Sequence, residues 1–356
     1  MKRFWNPFLS SLTPYVPGEQ PRLEGLIKLN TNENPYPPSA KAIEAMRKVL
    51  DDSLRLYPDP STTALKQTLA HSYRIKPEEI FVGNGSDEVL AFLFQALMGQ
   101  PGGCAYPAIS YSFYPVYCQL YGIQAKPFEL SGDFSIDLAK VSHEAGSLIL
   151  PNPNAPTGIA LPVEAILDHA RQHPQRLVVV DEAYVDFGAA SCLPFINELD
   201  NLMVVQTLSK SRALAGLRVG FAFASADLIE ALERVKNSFN SYTVDRVAMA
   251  GAIAAIEDEA WFEANRARVM KSRNTLSDAL QNIGFEVLDS KANFLFVRHR
   301  SHDAAKLAHG LRQKNILVRH FAKAGIDQFL RISIGDEDQC QALILALHTL
   351  ISAEAA

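Results

Sequence analysis

The chain has 356 residues, 48% of them hydrophobic, and a net charge of −5, a composition typical of a globular enzyme with one large core and a second, smaller one. The acidic balance and the lack of basic runs argue against nucleic acid as a partner, and no apolar run approaches the roughly 18 residues of a membrane helix. Four scattered cysteines without a CxxC pair predict no metal site, and since no secretory signal follows Met1 we expect a cytoplasmic protein.

Residues 1–38 are rich in Pro, Asn and aromatic side chains. Their X-Pro steps disfavour helix, so the pattern predicts an extended arm. Apolar residues in the arm, among them Tyr15, indicate that it lies on another surface, for which a partner subunit is one candidate. Helices are predicted over 39–50, where Ser39 supplies the cap, and over 62–73, and the turn between them presents Tyr57.

Residues 81–93 follow the order strand, glycine turn, helix. Gly83 and Gly85 let the backbone bend closely, and the free N–H groups of Ser86 and Asp87 begin a helix whose dipole favours an anion. A tight turn without a ligand is the alternative. The third glycine of a dinucleotide fingerprint is missing, which disfavours a nicotinamide-dependent enzyme.

From residue 147 the chain alternates strands and helices. Nearly continuous apolar runs at 147–150, 177–180 and 202–205 indicate a parallel sheet covered on both faces. In such a sheet ligands bind beyond the carboxyl ends of the strands. The residues that follow these three strands are polar, namely Asn152 and Asn154, Asp181 and Tyr184, and Thr207 and Lys210.

Lys210 lies in a short polar turn between two buried apolar runs. A lysine in this position can form a Schiff base with an aldehyde cofactor. A solvated loop lysine is the alternative. The candidate ligands around such a cofactor are Thr207, Ser209 and Arg218 for a phosphate and Tyr111 for stacking on a flat ring.

Beyond residue 245 the pattern changes to α+β, so we predict a large domain over 39–245 and a small domain over 246–356. Arg319 and Arg331 occupy strand positions in the small domain. Arginines in strands are usually edge residues or salt-bridged, but two of them facing the lysine would suit an anionic substrate group.

These motifs resemble the aspartate-aminotransferase-like, fold type I enzymes that use pyridoxal 5′-phosphate, and among them the histidinol-phosphate aminotransferases. The resemblance covers nearly the whole chain and implies an α/β fold, in which helices cover the mostly parallel sheet of a large domain and a smaller α+β domain follows. The segments that carry it are 12–15 (Leu-Thr-Pro-Tyr), 29–35 (Leu-Asn-Thr-Asn-Glu-Asn-Pro), 85–88 (Gly-Ser-Asp-Glu), 153–158 (Pro-Asn-Ala-Pro-Thr-Gly), 181–184 (Asp-Glu-Ala-Tyr), 207–210 (Thr-Leu-Ser-Lys) and 215–220 (Ala-Gly-Leu-Arg-Val-Gly).

The resemblance also implies roles for single residues. Lys210 would form the Schiff base and move the proton, Asp181 would pair with the pyridine nitrogen, and Tyr184 would contact the ring 3′-oxygen. Tyr111 would stack on the ring. The implied phosphate ligands are the N–H groups of Ser86 and Asp87, the side chains of Thr207, Ser209 and Arg218 and, from the partner subunit of a homodimer, Tyr57, while Gly85 is a further cofactor-binding position.

Tyr15, Arg319 and Arg331 match positions that contact the substrate phosphate or the carboxylate of glutamate. The implied reaction belongs to histidine biosynthesis and converts L-histidinol phosphate and 2-oxoglutarate to imidazole-acetol phosphate and L-glutamate. An aromatic amino acid aminotransferase and a lyase similar to threonine-phosphate decarboxylase remain alternatives. A regulator without catalytic activity is disfavoured, because Lys210 is intact.

One position departs from the family. Where the family usually has Asn before Pro-Thr-Gly, donating to the ring 3′-oxygen, this chain has Ala155. Asn154 is adjacent, but neighbouring residues of an extended chain point to opposite faces, so we do not expect it to replace the missing donor. Tyr184 alone would then contact that oxygen.

Overall fold

A computed structural model describes residues 3–21 and 23–354. Within them the helices are α1 (Ala40–Lys48), α2 (Thr63–Tyr73), α3 (Gly85–Leu97), α4 (Tyr114–Leu120), α5 (Val163–Gln172), α6 (Ala226–Phe239), α7 (Arg246–Glu257), α8 (Glu259–Asn282), α9 (Ala304–Gln313) and α10 (Glu337–Glu354). The strands are β1 (Ile27–Leu29), β2 (Ile80–Gly83), β3 (Cys104–Pro107), β4 (Ala125–Phe128), β5 (Ser147–Pro151), β6 (Leu177–Asp181), β7 (Leu202–Thr207), β8 (Gly220–Phe223), β9 (Phe285–Val287), β10 (Phe294–His299), β11 (Ile316–His320) and β12 (Leu330–Ser333). None of the helices in this part of the chain is long and apolar enough to cross a membrane.

The larger sheet has the strand order β2-β8-β7-β6-β5-β3-β4. Neighbouring strands from β7 to β4 are parallel, whereas β8 runs antiparallel to both β7 and β2. The mostly parallel sheet predicted from the alternating pattern is therefore confirmed. Because β2 and β7 each run opposite to β8, the carboxyl ends of β2, β3, β5, β6 and β7 all lie at one edge of the sheet.

Helices cover both faces of this sheet, since its strands are apolar on both sides. On one face, Val178 and Val180 of β6 belong to a core that includes α1, α2, α5 and α7. On the other face, Val179 belongs to a core that includes α3, α4 and α6. Every residue of β5 and β6 is buried, so the polar residues that follow these strands are positioned by a tightly packed part of the core.

The smaller sheet has the order β1-β11-β12-β10-β9. Its strands pair antiparallel except for β1, which runs parallel to β11. Leu295, Val297 and Ile332 pack in one core with residues of α8, α9 and α10. A smaller α+β unit, as the resemblance implies, is confirmed.

The predicted arm, 1–38, is not extended throughout, because Pro7–Ser10 form a short 3-10 helix. Its residues Ile27–Leu29 are extended and form β1 of the smaller sheet. The part before β1 lies on the same chain. The backbone N–H of Thr13 donates to Gln119 Oε1 at 2.9 Å. Arg312 Nη1 donates to Glu19 Oε2 at 2.6 Å. These contacts tie the arm to both the larger and the smaller unit, whereas Met1, Lys2 and Arg22 lie outside the described residues.

The division into residues 1–38, 39–245 and 246–356 stays a prediction. Its second boundary falls at the start of α7, whose residues Ala248 and Ile256 pack in the core of the larger sheet. A boundary after α7 agrees better with this packing.

Gly220 allows β8 to approach the start of α3 closely. A Cβ at Gly220 would lie 2.4 Å from the backbone nitrogen of Ser86 and 2.5 Å from the carbonyl carbon of Gly85, so the backbone would have to move. We predict that Gly220→Ala lowers the free energy of unfolding by about 1–3 kcal/mol, measured by urea denaturation. Gly216→Ala is the matched control, because a Cβ there meets no atom within 4 Å. Equal stability of the two variants would contradict the close approach.

Candidate active site

A cavity of ≈ 110 Å³ lies beyond the carboxyl edge of the larger sheet. It brings together residues from five separate parts of the chain that the sequence pattern singled out. Gly85 begins α3 next to Ser86, on the wall of the cavity. The predicted residues that line the cavity are Ser86, Asp87, Tyr111, Asp181, Tyr184, Thr207, Ser209, Lys210 and Arg218.

One part of the cavity presents N–H donors and a guanidinium group. Gly85 has φ +80°, and a Cβ there would lie 2.3 Å from Arg218 Nη2, so glycine lets the guanidinium reach the helix start. Arg218 Nη2 donates to Asp87 Oδ2 at 2.8 Å. The hydroxyls of Thr207 and Ser209 lie 3.0 Å apart on the same wall. A helix N-terminus, a guanidinium and two hydroxyls together suit an anion such as a phosphate.

Asp181 supplies a buried carboxylate to the same cavity. Its side-chain Oδ2 accepts from the Tyr114 hydroxyl at 2.8 Å, and Oδ1 accepts from the Ala183 N–H at 3.2 Å. Within the described chain no cationic side chain lies within 4.0 Å of this carboxylate. Burial raises the pKa of Asp181 from 3.8 to about 6, although the hydrogen bonds from Tyr114 and Ala183 act to lower it. A buried carboxylate without a cation favours a partner such as a protonated nitrogen base.

Lys210 is held by backbone and aromatic groups. Its Nζ lies 3.5 Å from the carbonyl oxygen of Thr31 and 5.6 Å from the centre of the Tyr184 ring. No carboxylate of the described residues lies within 4.0 Å of Nζ. Asn34 Nδ2 donates to the Lys210 carbonyl at 3.0 Å and thereby fixes the loop that carries the lysine. The amine is therefore free of an ion pair that a reaction would have to break.

A second cavity of ≈ 170 Å³ adjoins the first. The two share Tyr111, Ala155, Tyr184 and Lys210, so we treat them as one cleft with Lys210 at their junction. The predicted substrate residues that line the second cavity are Tyr15, Arg319 and Arg331.

Arg319 and Arg331 face each other across the pair of strands β11 and β12. Arg331 Nη2 donates to the carbonyl oxygen of Asn30 at 2.9 Å, while its buried Nε has no hydrogen-bond partner among the described residues. Neither arginine has a carboxylate within 4.0 Å in the part of the chain that is described, so the salt-bridged alternative does not hold. Burial lowers the pKa of Arg331, and the positive charge of Arg319 acts in the same direction. Two cations without counter-charges make this part of the cleft suitable for an anionic group.

Two residues that support the cleft were not found from the sequence, namely Asn32, which lines the second cavity, and Tyr114, which contacts a lining residue without lining the cleft itself. Asn32 Nδ2 donates to the Tyr184 hydroxyl at 3.0 Å, and the Tyr114 hydroxyl donates to Asp181. The only signal for Asn32 was its place in the segment 29–35, and Tyr114 was hidden in an aromatic run that reads equally well as core.

Three further positions that the sequence singled out are Ala155, which lines the cleft, and Asn154 and Tyr57, which do not. Ala155 is buried against Phe294 and lines both cavities. Asn154 does not line them, because its Nδ2 donates to the carbonyl oxygen of Ile109 at 3.0 Å, as the alternation of extended residues predicts.

Tyr57 lies outside the cleft of its own chain, 79% exposed and stacked on Tyr242.

The chain is similar to known aminotransferases over nearly its whole length. The family model Aminotransferase class I and II matches residues 24–347. The chain is 54% identical to histidinol-phosphate aminotransferase 1 of Bradyrhizobium diazoefficiens, over 99% of this chain and 100% of that protein. It is 55% identical to histidinol-phosphate aminotransferase 1 of Pseudomonas aeruginosa, over 98% of this chain and 100% of that protein.

Solved structures share the fold. Histidinol-phosphate aminotransferase from Sinorhizobium meliloti in complex with pyridoxal-5′-phosphate has a TM-score of 0.86 at 24% identity, covering 99% of this chain and 98% of that one. L-threonine-O-3-phosphate decarboxylase from Porphyromonas gingivalis has a TM-score of 0.80 at 24% identity, covering 92% and 100%. Because both an aminotransferase and a decarboxylase match, the fold alone does not select the reaction.

The buried carboxylate predicts a pH-dependent stability. The pKa of Asp181 is raised from 3.8 to about 6 in the folded protein. Ionisation of Asp181 therefore lowers the free energy of unfolding, by its full amount above pH 6 and not at all below pH 3.8. We predict that Asp181→Asn raises the free energy of unfolding of the ligand-free protein at neutral pH by about 1–3 kcal/mol. Urea denaturation at several pH values should show this gain shrinking as the pH falls. The exposed Asp200→Asn is the control, and a gain in Asp181→Asn that does not change with pH would contradict the account.

Proposed function

The chain belongs to the family of class I and II aminotransferases, and on this premise we propose that it is a pyridoxal 5′-phosphate-dependent transaminase acting on L-histidinol phosphate. The resemblance drawn from the motifs is thereby confirmed. The proposed reaction with 2-oxoglutarate yields imidazole-acetol phosphate and L-glutamate, a step of histidine biosynthesis. Relatives of 54% and 55% identity support this substrate. The observation that carries the proposal is the position of Lys210 between two cavities. The first cavity has an anion site and a buried carboxylate, and the second has two arginines without a carboxylate nearby among the described residues.

The first cavity fits pyridoxal 5′-phosphate, which carries a phosphate, a basic ring nitrogen and an aldehyde. Asp181, buried and without a cation, matches the ring nitrogen in its protonated form, and Lys210 is the amine available to the aldehyde. Tyr111 lines the wall of the cavity, and its hydroxyl donates to Asp87 Oδ1 at 2.8 Å, which holds the ring in place for stacking. The phosphate would contact the N–H groups of Ser86 and Asp87 and the side chains of Thr207, Ser209 and Arg218, and Gly85 begins the helix that presents these N–H groups.

Each residue of the cleft has its own role in the proposed amino transfer. Bound pyridoxal phosphate supplies an aldehyde that takes up the amino group and a ring that withdraws electrons from the reacting carbon. Lys210 Nζ, which has no ion pair among the described residues, would take the proton from Cα of the amino donor and return a proton during amino transfer. Asp181 holds the ring nitrogen protonated. Tyr184, whose hydroxyl is oriented by Asn32, would contact the ring 3′-oxygen, for which Ala155 offers no donor.

Arg319 and Arg331 bind the anionic end of each substrate in this proposal. The free Nε of Arg331 and the absence of a counter-carboxylate in the described chain leave both guanidinium groups available to a phosphate or a carboxylate. Tyr15 lines the same cavity with its ring stacked on Phe113 at 4.4 Å. One site can therefore accept histidinol phosphate in one half-reaction and 2-oxoglutarate in the other.

The proposal includes a homodimer in the cytoplasm. Tyr57 is 79% exposed on a surface that also exposes Leu54 and Leu56, as is typical of an interface. In the dimer, Tyr57 of the partner subunit would complete the phosphate site.

Half-reactions with single amino donors test the proposed function. Purified protein loaded with pyridoxal phosphate is mixed with histidinol phosphate, histidine, phenylalanine or threonine phosphate, and the spectral conversion to pyridoxamine phosphate is followed. We expect histidinol phosphate to react with a kcat/KM at least about 100-fold above the other donors. Equal reaction with phenylalanine would indicate an aromatic aminotransferase. Release of CO2 from threonine phosphate would indicate a lyase, and no conversion with any donor would contradict a transaminase.

The arginine site gives a second prediction. Arg331→Ala should lower kcat/KM for both histidinol phosphate and 2-oxoglutarate by on the order of 10–100-fold, since a hydrogen bond to a charged group is lost. The dissociation constant of pyridoxal phosphate should not change. Arg298→Ala is the matched control, because Arg298 lies in the same sheet but pairs with Glu286 at 2.6 Å on the surface. Equal kinetics of the two variants would remove Arg331 from the substrate site.

A further inference from the structure

Tyr114 is the first residue of α4 and is fully buried. Its ring is surrounded by aromatic neighbours, with ring centres 5.7 Å from Tyr111, 6.2 Å from Tyr106 and 6.3 Å from Phe94. This packing fixes the direction of the hydroxyl. The hydroxyl donates to Asp181 Oδ2 at 2.8 Å, and a buried tyrosine hydroxyl needs such a partner.

The hydrogen bond has a fixed polarity. Burial, and secondly the charge of Asp181, raises the pKa of Tyr114 well above its ordinary value of 10. The proton therefore stays on the tyrosine, and Asp181 Oδ2 must accept it. The other oxygen of Asp181, Oδ1, receives only the longer 3.2 Å bond from the Ala183 N–H and keeps a lone pair for a further donor.

Few other groups can stabilise the Asp181 anion. The charged side chains that act on it are Asp87, which opposes ionisation, and Lys210, which favours it less than the two hydrogen bonds do. A hydrogen bond to the charged form of a carboxyl group favours that form. Tyr114 is therefore the principal support of a charge that burial disfavours.

We propose that Tyr114 is a positioning residue, whose hydroxyl fixes the rotation of the Asp181 carboxylate and holds it ionised so that Oδ1 receives the protonated ring nitrogen of the cofactor. The inference rests on the proposed function, since it needs a cofactor with a basic ring nitrogen. Tyr114 would thereby affect the protonation of the cofactor ring, although its side chain does not line the cleft.

Tyr114→Phe removes the hydroxyl and leaves the ring in place. We expect this variant to bind pyridoxal phosphate about tenfold more weakly than wild type, as expected for loss of a hydrogen bond to a charged group. Nitrogen NMR of isotopically labelled cofactor should show a larger fraction of unprotonated ring nitrogen than in wild type. Tyr106→Phe is the matched control, because Tyr106 lies in the same aromatic cluster and does not line the cleft. It should resemble wild type in both measurements.

A double-mutant cycle separates positioning from a general loss of packing. In the Asp181→Asn background, Tyr114→Phe should have no further effect on cofactor binding, because the carboxylate that it supports is gone. An additional tenfold loss there, or equal behaviour of Tyr114→Phe and Tyr106→Phe, would overturn the inference. If wild type binds no pyridoxal phosphate at all, the proposed function fails and the inference with it. If wild type binds pyridoxal phosphate but Tyr114→Phe and Tyr106→Phe behave alike, the proposed function stands and the inference alone fails.

Discussion

The parallel register of β5, β6 and β7 is the constraint on which the cleft depends. Pro151 pairs with Asp181, and Asp181 pairs with Val205, so β5 and β6 end at the same level of the sheet and β7 ends two residues beyond it. The polar residues that follow them meet there in spite of their separation along the chain. β8, inserted antiparallel between β7 and β2, adds the remaining wall, because Gly220 lets it approach α3 and the preceding Arg218 reaches the helix start.

Charges without partners give the cleft its chemistry and lower the stability of the empty fold. Asp181 is buried in the first cavity, and Arg319 and Arg331 face the second without carboxylates among the described residues. Burial disfavours the charged form of both Asp181 and Arg331. A protonated ring nitrogen beside Asp181 and an anionic substrate group beside the two arginines would offset these costs, so the free energy that these charges cost the fold would contribute to ligand binding and orientation. The Lys210 amine lies where the two cavities join.

Local patterns in the sequence predicted the larger sheet and the residues at its carboxyl edge, because buried strands and glycine turns leave periodic signals. The pairing of β1 with β11 left no such signal, since a strand of three residues in a Pro-rich arm is stabilised only by its distant partner. Tyr114 and Asn32 were missed for a related reason. Their sequence neighbours indicate burial or a loop, and only the folded chain shows that their polar atoms point to Asp181 and Tyr184. Likewise, whether Arg331 has a carboxylate partner among the described residues depends on which residues surround it in three dimensions, not on its sequence neighbours.

Reductive trapping of the cofactor tests the account most directly. The protein is incubated with pyridoxal phosphate, treated with borohydride and digested, and the labelled peptide is identified by mass spectrometry, with Lys210→Ala as the control. A single phosphopyridoxyl group on Lys210, absent from the variant, is the predicted result, because only this amine lies at the junction of the two cavities. A label on another lysine, or none on wild type, would contradict the assignment of Lys210 as the reacting amine.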